Sequence, residues 1–412
     1  MVNVFGQETG IVAEAAAVAE EPQPRVAAGQ VAEIVEARAG QAAQGIAEAP
    51  TAVSITSLPA VAHQRGSICR GGLGRDTPAQ VPIADASRIG RPLLWSGEVL
   101  PTDQRRPTPI TPLNIPWWAA RTYAGDRRPR SSLRRRRPLS LDRLARSLRP
   151  DLQRPVFVIG ADRSGTTFLG DSLAALPELS YHHEPAVIKA AARYVYEGRW
   201  SVRRSRAFFR LVYGWLMRVR LEGDLRLAEK TPSNSFIVPY LARAFPDAAF
   251  VHIVRDGRDA ARSHLQQPWL LAASLAGGRR EPGGYRYGPD ARFWVEPDRR
   301  GEFETTSDLH RCIWSWRRHT EAALDAATAL PAGRYHELRY EALVTDPAAS
   351  GAGLLDFLGI SAPDSRALLQ QALARADPAG VGAWRTTFDA AQMAVIEREA
   401  GGLLRRLGYA EP

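Results

Sequence analysis

The segment Gly160-Ala161-Asp162-Arg163-Ser164-Gly165-Thr166-Thr167 constrains this chain more than any other. It follows Val156 to Ile159, a short β-branched and aromatic run bounded by Pro155 and Gly160. Such a run predicts a strand buried on both faces. A helix-patterned stretch opens at Gly165 and continues to Leu176, ended by Pro177. Strand, glycine-bearing turn and helix in that order surround an anion with backbone N–H groups and a helix N-terminus. The frame is G-x4-G, as in a Walker A loop, but Thr166 and Thr167 occupy the two positions that would carry Lys and Ser or Thr. Without that lysine the loop is poorly equipped for a triphosphate with Mg²⁺, yet it can hold one 5′-phosphate. Ser164, Thr166 and Thr167 add hydroxyl donors to the amides, and Arg163 adds charge. The plain alternative is a turn whose Ser and Thr merely cap a helix.

The alternation of strand and helix continues along the chain. Leu179 to His183, Leu225 to Ala228, Ala248 to Val254 and Arg334 to Leu338 read as strands. Between them, Ala186 to Leu221 reads as two helices broken near Gly198, followed by helices at Ser233 to Phe245, Gly257 to Gln267 and Ser307 to Leu330. Two further helices are expected at the C-terminus. Gly277 to Thr306, rich in Gly, Pro and Arg, reads as a long loop. This order predicts an α/β fold, P-loop-like and three-layered, with a central mostly parallel β-sheet flanked by helices.

A second constellation ends the strand expected at Ala248 to Val254. There Val254 is followed by Arg255-Asp256-Gly257-Arg258-Asp259, and Ser263 comes eight residues after Arg255. A strand end and two helical turns bring the guanidinium and the hydroxyl to one side, where they would grip a second, separate phosphate. Taken alone, the Arg-Asp-Gly-Arg turn reads equally as a structural salt-bridged corner. Together, GADRSGTTFLG and FVHIVRDGRDAARS resemble the 5′-phosphosulfate loop and the 3′-phosphate motif of the sulfotransferase superfamily. The resemblance extends from about Arg154 to Tyr409 and is to the bacterial branch related to tyrosylprotein sulfotransferases in particular. Glu229-Lys230-Thr231-Pro232 resembles the family's lysine-bearing segment after the third strand. Arg339-Tyr340-Glu341-Ala342-Leu343 with Asp346-Pro347 and Phe357-Leu358-Gly359, and Gly382-Ala383-Trp384-Arg385, resemble its later stretches.

The resemblance implies an enzyme that moves a sulfonate from 3′-phosphoadenosine 5′-phosphosulfate (PAPS) to an acceptor hydroxyl by in-line displacement. It implies donor contacts from Arg163, Ser164, Gly165, Thr166, Thr167, Arg255, Ser263, Tyr340 and Arg385, with Trp384 on the adenosine or anchoring the loop. It implies Glu184 as general base and Lys230 as the cation at the leaving phosphate. The plain readings are a helix-start carboxylate with Pro185 at the first helical position, and a surface lysine. His182 or His183 is an alternative base, and strand alternation allows only one of them to face Glu184's site. Tyr285, Tyr287, Phe293 and Trp294 either line an apolar acceptor pocket or form the long loop's own core. The His and Cys residues lack ligand spacing, so no metal is implied. The acceptor stays open: a carbohydrate, a lipid, a tyrosine or a small natural product.

The formal charge is +10, and much of the excess lies in Arg127, Arg128, Arg130, Arg134 to Arg137, Arg143, Arg146 and Arg149. This run reads as a solvated lead-in, or else as a surface for acidic acceptors, lipid heads or nucleic acid. Residues 1–105 are rich in Ala, Gln, Glu, Pro and Gly, and are expected to be a disordered leader. Residues 106–153 are expected to pack on a catalytic domain at 154–412, with Trp117 and Trp118 covering the edge of its core. No apolar stretch reaches the roughly 20 residues of a membrane span, and Cys69 and Cys312 make no disulfide framework. A cytoplasmic protein is the expectation. Two other functions compete: a P-loop kinase or other phosphoryl transferase, and a non-enzymatic nucleic-acid-binding protein using the arginine-rich segment.

Overall fold

A computed structural model of the chain describes Asn114, Trp117, Trp118, Arg121, Thr122, Pro138 and residues 140–409. The expected leader, Cys69 and most of the arginine-rich run fall outside those residues. In chain order the elements are α1 (Leu141–Leu148), β1 (Val156–Ile159), α2 (Thr166–Leu173), β2 (Leu179–His183), α3 (Ala186–Tyr196), α4 (Val202–Val219) and β3 (Arg226–Lys230). Then come α5 (Val238–Ala244), β4 (Ala249–Val254), α6 (Gly257–His264), α7 (Arg300–Thr305), α8 (Asp308–Ala329) and β5 (Tyr335–Arg339). The chain closes with α9 (Tyr340–Thr345), α10 (Pro347–Leu358), α11 (Pro363–Leu373) and α12 (Ala390–Arg406).

The five strands form one sheet in the order β2-β3-β1-β4-β5, and every neighbouring pair is parallel. Every residue of β1 and β4 is buried, as expected for strands covered on both faces. Alternate side chains then feed two separate cores. Phe157, Ile159, Phe250 and Val254 enter the larger one, with Val195, Phe209, Trp314 and Leu403. Val156, Val158, Val251 and Ile253 enter the other, with Leu169, Leu354 and Leu369. Trp118 belongs to the larger core, while Trp117 is about half exposed and touches its neighbour edge-on.

The structure departs from the sequence expectations where prolines intervene. The helix expected at Ser233 to Phe245 begins as a 3₁₀ turn, Pro232–Ile237, and becomes α-helical at Val238. Pro239 has no N–H to donate back into a preceding turn, so a continuous α-helix across it is excluded. Four helices, α9 to α12, replace the two expected at the C-terminus. Pro347 and Pro363 each sit in the first turn of a new helix, where a missing N–H costs nothing. The long loop also contains the short helix α7.

One buried ionisable group in β3 makes stability depend on pH. Glu229 is fully buried and accepts hydrogen bonds from Thr231 and Asn234. Burial pushes its carboxyl up to about 8 against the pull of those bonds. The unfolded chain releases this proton near pH 4.3, so the native state holds a proton that the unfolded state has lost. Stability from this group is therefore complete below about pH 4.3 and is lost as pH rises towards 8, by up to ~4 kcal/mol. Glu229→Gln is expected to flatten the dependence of Tm on pH across that window and to melt higher than the parent at pH 8. Parallel pH slopes for the two proteins would show that Glu229 ionises normally.

Candidate active site

Because the sheet is parallel, the C-terminal ends of all five strands lie along one edge, where α/β proteins bind ligands. Each expected group of site residues falls there. The Gly160–Thr167 loop follows β1, Glu184 follows β2, and Lys230 is the last residue of β3. Arg255 follows β4, and Tyr340 follows β5. Lys230 is level with His183 on one side and Val158 on the other. Residues far apart in the chain are neighbours because the ladder aligns their strand ends.

The loop after β1 needs its glycines. Gly160 has φ 138° and Gly165 has φ 93°, values that favour a residue without Cβ. A Cβ on Gly165 would also meet the Tyr340 ring at 2.7 Å. Arg163 itself lies in the left-handed region at φ 67°. Ser235 Oγ accepts the Gly160 N–H at 3.1 Å. Ser164 is 1% exposed, and its Oγ has no hydrogen-bond partner. A buried hydroxyl without a partner is costly, and an anion on the loop would satisfy it.

The second cationic group is wired to the first. Arg163 Nε donates to Ser263 Oγ at 3.1 Å, and Arg255 Nη1 donates to the Arg163 carbonyl at 3.0 Å. Arg255 Nη2 donates to the Gly380 carbonyl, while its Nε is buried without a partner. The Arg255 guanidinium lies 4.5 Å from the centre of the Tyr340 ring, whose hydroxyl donates to the Asp377 carbonyl. Tyr340 is therefore a buried wedge between Gly165 and Arg255. The remainder of the Arg-Asp-Gly-Arg turn is the salt-bridged corner. Asp256 caps α6 and pairs with Arg258 at 2.7 Å.

The segment Gly382–Arg385 is docked by Asp259, which accepts the Gly382 N–H at 2.6 Å and the Trp384 N–H at 3.0 Å. Trp384 packs beneath the Arg258 guanidinium at 3.7 Å, so it anchors this loop. Arg385 is exposed and lies 4.6 Å from the centre of the same ring.

Lys230 stands between the loop and Glu184. The Glu184 backbone has φ 42°, unusual for a residue with a Cβ. Pro185 is the cap of α3 rather than its first residue, so the side chain does not serve the helix start. Instead, Lys230 Nζ donates to Glu184 Oε1, and Lys189 Nζ donates to Oε2 at 2.9 Å. His183 Nε2 lies 3.8 Å from Oε1. Burial works against the Glu184 charge, but Lys189, Lys230 and His183 outweigh it and hold the carboxyl well below its usual range. Lys230 is 1% exposed and also donates to Thr167 Oγ1 at 2.8 Å. The cation absent from the Walker position thus reaches the loop from β3. His182 is fully buried and bonds Ser180 Oγ at 3.0 Å, away from Glu184.

Beside Lys189, the partner of Glu184, a cleft is lined by Asp162, Lys189, Ser233, Tyr285, Phe293 and Trp294, among others. Phe293 and Trp294 also belong to the main core, so they serve as wall and packing at once. Tyr287 lies elsewhere, with Arg279 over its ring at 5.1 Å. Arg292, 2% exposed, holds the long loop together by donating to the Glu281 carboxylate and to the Trp269 and Gly288 carbonyls. Lys189, Asp259 and Arg292 were not legible as site residues from motifs. For Lys189 a signal existed: among 54 Lys and Arg residues, Lys189 and Lys230 are the only lysines. Among the described residues, no group of three or more His, Cys, Asp or Glu could hold a metal ion. None of their helices is long and apolar enough to cross a membrane.

A five-stranded parallel sheet flanked by helices, with a glycine-bearing loop between its central strand and the following helix, is a P-loop-like α/β fold. Residues 191–364 match the model of the Sulfotransferase family. The match includes Lys230, Arg255, Ser263 and Tyr340, and begins beyond the Gly160–Thr167 loop and Glu184. The protein-tyrosine sulfotransferase 2 of Gallus gallus is 24% identical over 223 residues, covering 51% of this chain and 52% of its own. The chain thus spans about half the length of this curated relative. Among solved structures, the sulfotransferase domain of the Synechococcus PCC 7002 olefin synthase is 18% identical, with TM-score 0.39, over 64% of this chain and 98% of that one. A sulfotransferase from Mycobacterium avium is 14% identical, with TM-score 0.40, over 64% of this chain and 79% of that one.

Proposed function

We propose that this chain transfers a sulfonate from PAPS to a hydroxyl of an acceptor bound in the cleft beside Lys189. The observation that carries the reading is that the Gly160–Thr167 loop and Arg255, after the adjacent strands β1 and β4, stand beside a Glu184–Lys230 pair at the ends of β2 and β3, all at one sheet edge. PAPS supplies a sulfonate on a 5′-phosphate that leaves readily, and a 3′-phosphate that identifies the nucleotide. The amides of the Gly160–Thr167 loop, with Ser164, Thr166, Thr167 and Arg163, would hold the 5′ end. Arg255 and Ser263 would hold the 3′-phosphate, with Arg385 reaching over from its docked loop. The buried, unpartnered Ser164 Oγ and Arg255 Nε suit these roles.

Glu184 takes the acceptor's proton as the oxygen–sulfur bond forms and the bond from sulfur to the phosphate oxygen breaks. Lys230 balances the charge gathering on that phosphate. Moving Lys230 from Glu184 towards the phosphate side removes one cation from the carboxylate. Its basicity then rises when a base is required. In the resting arrangement Glu184 is fully ionised but weakly basic. The acceptor is a hydroxyl compound held against Tyr285, Phe293 and Trp294, and tyrosine, carbohydrate, lipid and small natural product remain the classes to screen. We assign the protein to the cytoplasm.

Thermal shift separates this reading from phosphoryl transfer. The product nucleotide, 3′-phosphoadenosine 5′-phosphate (PAP), is expected to stabilise the protein by about 2.7 kcal/mol at a hundredfold excess over Kd. ATP with Mg²⁺ is expected to have little effect. Stabilisation by ATP–Mg²⁺ and none by PAP would reverse the assignment.

A further inference from the structure

Lys189 is the fourth residue of α3 and projects to the same carboxylate as Lys230 from the opposite oxygen. The two lysines of the whole chain therefore meet at one glutamate. Their surroundings differ. Lys230 has a second partner in the phosphate loop, Thr167. Lys189 faces the cleft, beside Asp162 and Glu281. Glu184 meanwhile occupies a left-handed backbone conformation that costs about 1 kcal/mol for a residue with a Cβ. Something besides the backbone must hold its side chain in place if Lys230 turns to the donor.

We propose that Lys189 is a positioning residue that keeps Glu184 Oε2 fixed and aimed at the cleft when Lys230 leaves Oε1 for the donor phosphate. This rests on the sulfotransfer reading for its purpose, though the ion pair stands without it. An ammonium suits the task better than a guanidinium. It is a point charge that holds one oxygen, whereas a planar fork tends to engage both carboxylate oxygens and would occupy the one that must take the acceptor's proton. The charged groups facing the pair are Lys230 from β3, His183 from β2, Asp162 from the loop after β1 and Glu281 from the long loop. Burial opposes the charge on Lys189, but Glu184, Glu281 and Asp162 outweigh it and raise its pKa. Lys189 thus stays cationic across the working range.

The deciding measurement, a carboxyl titration, does not depend on knowing the acceptor. In full-length protein with ¹³C-labelled glutamate, the side-chain carboxyl signal of Glu184 is identified by its loss in Glu184→Gln. Its titration midpoint is then followed in the parent, in Lys189→Met and in Lys189→Arg. Lys189→Met is expected to raise the midpoint by at least ~1 pH unit, as for loss of a cation within 4 Å, and Lys189→Arg to restore it. PAP affinity, read in the same samples, is expected to change less than ~threefold, because Lys189 faces the cleft rather than the loop. With labelled donor, the acidic limb of turnover should move up by the same amount in Lys189→Met. Lys189→Arg should recover the limb but not the full rate. An unchanged carboxyl midpoint in Lys189→Met overturns the inference and leaves sulfotransfer intact. Absence of turnover in the parent, with the midpoint shifted as expected, would instead count against the sulfotransfer reading.

Discussion

Replacing Glu184 with glutamine is expected to lower turnover by about 10²–10⁴-fold, the usual worth of a general base. That corresponds to ~3–5 kcal/mol of barrier. Glutamine keeps the length and one acceptor oxygen for Lys189 or Lys230, but it cannot take a proton. Donor binding should persist, because Arg163, Ser164 and Arg255 are untouched. The variant also leaves the buried Lys230 and the partly exposed Lys189 without their carboxylate, which destabilises by up to ~3–5 kcal/mol for a broken buried pair. Melting temperature and PAP affinity are therefore measured alongside turnover. Near-parental turnover in a folded, PAP-binding variant would assign the base elsewhere. His183, 3.8 Å from Glu184 Oε1, would be the first candidate.

The second large effect concerns Arg255. Arg255→Leu is expected to weaken PAP by ~30–1,000-fold, the usual cost of removing one partner from a buried charge-assisted contact. Adenosine 5′-phosphate, lacking the 3′-phosphate, should lose little. The ratio of the two affinities is thus the specific readout, and it should collapse towards unity. Arg255→Lys should recover only part of it, because an ammonium cannot reproduce a planar fork. Some loss will be indirect, since Arg255 also holds the Arg163 and Gly380 carbonyls. Such loosening would weaken both nucleotides alike. A parallel fall in both affinities would mean that Arg255 braces the two loops rather than reading the 3′-phosphate.

Much of this architecture was legible because the signals were local. The strands Val156–Ile159 and Leu179–His183 appear with the expected bounds, the first a short apolar run stopped by Gly160 and the second a short run stopped by Glu184-Pro185. The break near Gly198 separates α3 from α4 as read. The C-terminal third was under-read, because the eight- to twelve-residue windows that reveal helical periodicity are cut there by Pro347, Pro363 and Pro378. At the site, motif reading identified the residues at the strand ends, where glycine, arginine and glutamate stand out. It did not reveal that Lys230 fills the place of the missing loop lysine, since that contact links positions 63 residues apart. Nor did it reveal Asp259, whose carboxylate holds a loop more than 120 residues later. Lys189 was visible in a different way: in a chain that uses arginine almost everywhere, one of its two lysines marks a place where a guanidinium does not serve.

The most direct test of sulfonate transfer uses the full-length protein, ³⁵S-labelled PAPS and a panel of phenolic, carbohydrate and lipid hydroxyl acceptors. Label is expected to move to at least one acceptor class with equal release of PAP, without added metal, and to stop in Glu184→Gln. Retention of all label on the nucleotide, together with transfer of ³²P from γ-labelled ATP to any of the same acceptors, would contradict the account.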